Sequence, residues 1–307
     1  MAIETGGMSG KGMVIIMALK VWKEVPTDTT YTTATNWVGG VAPVNGDEVL
    51  ISQGSGNIDG SDQSATTLAG VTISSGYTGT IGVSGTPLQL DTPTFIYNGQ
   101  GDHCWIGLQD AGGSTVDCRI LGTKSTAEAD FPLKGLHINA DGAEDLSPFI
   151  VEGGYVEQET SGGAGDIKGV EISGGSVFLI DLDGSAALAI SGGTCSCAVG
   201  TTGQLMVAGG TWTQTGGSIT TVNVFTTGTL DWQGSGAITT GKVRGTGVLT
   251  FNNLKVAATM NTIDLFGSAS LKIQNGIKQP AFTTLRVRGS GVTIDSDPTY
   301  NPTITYI

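Results

Sequence analysis

Charge is scarce in this chain. Only 13% of its 307 residues are Asp, Glu, Lys or Arg, against roughly 25% in ordinary globular domains. No dense basic patch interleaved with aromatics is present, which argues against general nucleic-acid binding. Aromatics are also few, at 6%, so a long groove of sugar-stacking rings is poorly supported. The four cysteines, Cys104, Cys118, Cys195 and Cys197, lack the C-x-x-C spacing of a metal knuckle or redox motif. Cys195 and Cys197 alternate along a predicted strand, where neighbours bridge badly, and Cys104 and Cys118 could meet across a coil. The expectation is four buried thiols packing as small apolar groups. The apolar run nearest the start, Met13 to Leu19, falls far short of the ~20 residues of a spanning helix. It is also poor as a signal peptide, with a short apolar core and no small-residue cleavage site before Lys20. There is no G-x-S-x-G elbow and no G-x-x-x-x-G-K-[ST] phosphate loop. No stretch sustains a 3.6-residue apolar period, so helix should be scarce.

Glycine is what the chain has in excess. There are 50, about twice the usual share of roughly 7%, and many sit in phrases that look like copies. These are Ile172-Ser173-Gly174-Gly175, Ile190-Ser191-Gly192-Gly193, Val207-Ala208-Gly209-Gly210, Val243-Arg244-Gly245-Thr246-Gly247-Val248 and Val287-Arg288-Gly289-Ser290-Gly291-Val292. Each places a β-branched residue before a turn and apolar residues after it. Glycine supplies the positive φ of a tight turn, and Val, Ile, Thr and Leu supply the strands. Recurrence every ~20 residues is the mark of stacked repeats. The fold class expected is therefore all-β: a single-stranded parallel β-helix, or β-solenoid, right-handed, with an N-terminal cap. An antiparallel sandwich or barrel is the rival, since it also uses short strands and glycine turns.

The expected organisation is a leader at 1–19, a cap at 20–53, irregular coils with loops at 54–170, regular coils at 171–297 and a tail at 298–307. Charge is uneven along it. Residues 1–199 carry a net −16 and residues 200–307 a net +3, giving the overall −13. Such a division could orient the molecule on a charged partner.

The most distinctive local motif lies near the start: Trp22, then Ala34-Thr35-Asn36-Trp37-Val38-Gly39-Gly40, Pro43, and Gly46-Asp47-Glu48-Val49-Leu50-Ile51. It resembles the N-terminal cap of bacterial and phage β-solenoid proteins, including autotransporter passenger domains. The resemblance is confined to this segment and implies the start of a solenoid, with no particular activity. With the low charge and the missing export signal, it leads to a non-enzymatic structural protein of a virus particle. That would be a bacteriophage capsid decoration protein or a tail fibre or spike component. The expected partners are the major capsid protein or another virion protein, and copies of the chain itself, as a trimer by analogy. No cofactor, metal, nucleic acid or membrane is expected. Trp22 and Trp37 are the candidate docking residues, with sealing of the first coil as the alternative role. A secreted or surface adhesin and a polysaccharide-degrading enzyme are the other readings.

Candidate chemistry is thin. Asp181 and Asp183 alternate on one strand face, permissibly spaced for a glycosidase pair, but Asp183-Gly184 also reads as a turn. Asp141, Glu144 and Asp145 read as a solvated loop. Asn57, Asp59 and Asp62 have a calcium-loop flavour without the closing Glu. His103 and His137 are the only histidines. His103-Cys104 reads as a packed strand pair sooner than a thiol nucleophile. Trp105, Trp212 and Trp232 are expected in the core or on coil edges.

Overall fold

The computed structural model describes residues 17–111, 113, 115–124, 135–140, 145–158, 167–180, 182, 187–198, 201–252, 254, 258–274, 278–296 and 303–307. Its strands form two sheets, one of 14 strands and one of 12. The chain alternates between them, laying each strand parallel to the one a full coil earlier. This is a β-solenoid, as the glycine phrases predicted, and the antiparallel rival is set aside. Among the described residues the only helical turn is the 3₁₀ segment Ala34–Asn36.

Register shows why the sequence folds this way. Ile51 pairs with Ile73, then Tyr97, Ile120, Val151, Ile172, Ile190, Val207, Val224, Val243, Leu265 and Val287 in successive coils. Every member of this column is buried. It is one apolar wall running the length of the rod, and each such side chain contributes about 1.5–3 kcal/mol on leaving water. The repeated glycine phrases all begin on this column. They are one structural corner, where the chain leaves the larger sheet for the smaller.

The corner needs glycine for two reasons. Gly175, Gly193 and Gly210 have φ of +76°, +71° and +70°, values that side chains with a Cβ tolerate poorly. A Cβ on each would also run into a carbonyl oxygen of the coil before: Gly154, Gly175 and Gly193 respectively. In the next coil the same corner holds Thr227 at φ +68°, the sole described non-glycine residue with positive φ.

Coil length is not uniform. The chain between Cys118 and its register partner Phe149 is nearly twice as long as that between Ile190 and Val207, or between Val207 and Val224. The chain turns a corner between Leu88–Asp91 and Thr94–Tyr97, which belong to different sheets. Isolated bridges hold Ile81 to Ile58 and Cys104, and Val83 to Thr86. Leu19–Val21 pairs with Glu48–Gly54, and Ile304–Tyr306 pairs with Ala281–Arg288, so the last leader residue with the first of the cap, and part of the tail, form the outermost described strands of the larger sheet, while residues 1–16 of the leader lie outside the described residues.

Candidate functional site

The segment before the first full coil is organised around Asn36. Its side-chain oxygen accepts the backbone N–H groups of Thr27 and Asp28 at 2.7 and 3.1 Å. Its amide donates to Asp28 Oδ1 and the Thr30 carbonyl, both at 2.8 Å. Asn36 is fully buried, and only a side chain with both an acceptor and a two-proton donor can make all four contacts. The Asp28 carboxyl is held below its ordinary range, chiefly by the Asn36 amide and then by the Thr30 N–H.

Around this knot the rings collect. Trp22 and Trp37 meet edge to face with centroids 5.1 Å apart, and Tyr31 meets Trp37 in the same way at 5.0 Å. The Trp37 indole N–H donates to the Tyr31 carbonyl at 2.7 Å. Trp22 is 1% and Trp37 0% exposed, and both belong to the apolar cluster that contains Val49 and Ile51. The docking role expected of Trp22 and Trp37 therefore meets a physical obstacle: neither ring has free surface to give a partner. The apolar surface here belongs instead to Met17, Leu19, Val25, Val38, Val41 and Val44, between 52% and 81% exposed. They are six of the eleven exposed large apolar side chains among the described residues. Sequence reasoning missed them because it weighed only the large aromatics. The usable signal was valine in non-strand positions beside Gly39, Gly40 and Pro43.

Elsewhere strand alternation sorts the candidates. Cys104 points inward and is fully buried, while His103 and Trp105 point outward. Burial pushes the Cys104 thiol up to about 11, which leaves it without nucleophilic character at neutral pH. Cys118, Cys195 and Cys197 are likewise buried and unbridged, and burial raises the Cys118 and Cys195 thiols further. Trp212 and Trp232 are core residues.

On the outer face of the smaller sheet, Trp105 lies between the two imidazoles. Its ring centroid is 5.3 Å from His103 and 4.5 Å from His137, nearly parallel to the latter. His137 pairs in register with Trp105 and with Glu157, whose carboxylate is 3.5 Å from His137 Nδ1. The Tyr155 hydroxyl donates to Glu157 at 3.3 Å. Sequence separation hid this grouping, since its members come from three coils.

The remaining candidates do not converge. Asp181, Asp183, Asp141 and Glu144 lie outside the described residues. Asp145 is paired with Lys168 at 2.8 Å. Asn57 accepts the Thr80 N–H and Asp59 the Thr29 hydroxyl, each from a distant segment, and Asp62, at the start of a strand, accepts the Ser64 N–H, so each already has a partner within the chain. Among the described residues no three His, Cys, Asp or Glu side chains are grouped to hold a metal. Compared with known protein families, curated proteins and solved structures, the chain matches none.

Proposed function

We propose that this chain is a non-enzymatic structural component of a virus particle, a capsid decoration protein or a tail fibre or spike part of a bacteriophage. In this reading it attaches by its N-terminal segment to the major capsid protein or another virion protein. The supporting observation is the concentration of exposed Met17, Leu19, Val25, Val38, Val41 and Val44 on one short segment. Docking interfaces bury such side chains, and the tryptophan knot beneath would hold them rigid and so lower the ordering cost of binding. The tryptophans thus act as support and the valines as contact.

Two measurements test this. Mass spectrometry of purified virions should find the chain in stoichiometric amounts. The triple variant Val38→Asp, Val41→Asp, Val44→Asp should melt like the parent yet lose particle binding. A chain absent from virions, or a variant that binds normally, would refute the proposal.

An adhesin is the second reading, favoured by the partly exposed Trp105, Tyr155 and Glu157 side chains on the outer face of the smaller sheet, with His137 buried among them. Glycan-array binding that is lost in Trp105→Ala would select it over the first.

A further inference from the structure

We propose that the outer face of the 14-stranded sheet is a self-association surface, on which a second copy of this chain docks in reversed order along the rod. The proposal stands independently of the virion reading.

It rests on how the face is charged. One outward column runs Leu50, Thr72, Ile96, Arg119, Ile150, Glu171, Ala189, Met206, Asn223, Lys242, Asp264, Arg286 and Thr305, each paired in register with the next. Its earlier coils carry acids: Glu171 within it, Glu48 and Asp117 on the same strands as Leu50 and Arg119, and Glu152, which pairs with Arg119. Glu48, Asp117 and Glu171 are exposed, and none makes an ion pair among the described residues. Its later coils carry Lys242, Arg244, Arg286 and Arg288. Arg244 and Arg288 lie over the Phe266 ring at 5.4 and 5.7 Å. Asp264 is the one carboxylate among them, held by Arg286 at 2.5 Å and approached by Arg288 at 3.7 Å.

One face therefore carries opposite charge at its two ends, and its middle is marked by Met206, 45% exposed. Met206 stands two coils from Glu171 and two from Lys242. A twofold axis along the strand direction at Met206 sets the two methionines against each other. It places Lys242 of each copy opposite Glu171 of the other, twice. In the same column Asp264 then falls over Ile150 and Arg286 over Arg119, each arginine already neutralised within its own copy, by Asp264 and Glu152 respectively, so the Lys242–Glu171 pairs carry the charge match. Such a contact is isologous and closes at two copies. From the Arg119 row to the Arg286 row it spans about 40 Å at ~4.8 Å per coil. With a width of about 20 Å, this is roughly 800 Å² per copy, the standard size for a specific interface. The twofold pairing is an alternative to the threefold arrangement expected by analogy.

Sedimentation equilibrium of the full chain tests it, with circular dichroism melting as the folding control. The parent should be a dimer at low salt that dissociates at high salt. Lys242→Glu and Glu171→Lys, each alone, should raise the dissociation constant at least about tenfold by opposing like charges. The double swap Lys242→Glu/Glu171→Lys should recover the parental value, and so should a mixture of the two single variants. A chain that is monomeric or trimeric at low salt overturns the proposal. So does a dimer whose single variants stay as tight as the parent, the result for copies packed in the same order along the rod, where Lys242 faces Lys242 and Glu171 faces Glu171, and so does a dimer in which the double swap stays as weak as the single variants.

Discussion

The two ends of this rod solve the same problem differently. Stacked coils bury their apolar columns against one another, and the outermost described coils do so on one side only. At the start, Trp22, Tyr31 and Trp37 pack on one another at 1%, 3% and 0% exposure, with Asn36 tying the loop that carries them. At the end, Phe282, Val292, Ile294 and Ile304 are only partly covered, and Tyr306 and Ile307 are exposed. One end has aromatic bulk and a hydrogen-bonded loop. The other has the short strand Ile304–Tyr306 outermost among the described strands of the larger sheet, and unpaired edges are reactive toward other strands. The rod is thus expected to be polar in stability as well as in charge.

The strongest test of this contrast is Trp37→Ala, which should cost about 3–5 kcal/mol as a large core deletion, read from the denaturant midpoint. Asn36→Ala should follow at about 2–3 kcal/mol, because the Thr27 and Asp28 amides and the Thr30 carbonyl lose their partner in a closed setting. At the far end, Ile294→Ala should cost only about 1 kcal/mol, since the side chain is only partly withdrawn from water. Comparable losses at Trp37 and Ile294 would break the comparison. Hydrogen exchange should agree, with amides of Thr293–Ser296 and Ile304–Tyr306 exchanging well before those of Glu48–Gly54.

The smallest effect is expected between the ends, at Asp231. Burial raises its carboxyl above the ordinary range, while the Gln233 amide partly opposes this. A raised folded-state value favours the protonated form, so the stability it contributes is present at acid pH and is lost as pH rises through that value. Asp231→Asn should therefore give a small rise in Tm at neutral pH that vanishes on acidification. A gain that persists in acid would assign the effect to something other than charge.

The fold was legible because its determinants are local. A positive-φ glycine corner and a β-branched residue before it recur in sequence as they do in space, so the phrases from Ile172 to Val292 reveal the coil directly. The surfaces were not legible, for two reasons. His103, Trp105, His137 and Glu157 sit together only because coils of differing length bring them into register, and no spacing rule specifies that length. Trp22 and Trp37 were noticed for their size, yet size is what buries them. Their valine neighbours carry the exposed area, and small apolar residues in loops give a weak signal.

The stacked glycine corner makes length a quantised property of this protein. Ile190, Val207 and Val224 occupy one column at equal intervals along the chain, and residues 191–207 contain no charged side chain. Excising them would bring Ile190 into the place of Val207 and leave the rest of the wall in register. The rod would shorten by one step of ~4.8 Å. Duplicating them would lengthen it by the same step. Selection could therefore adjust the reach of this molecule coil by coil, as a ruler is cut to its graduations, without redesigning either end.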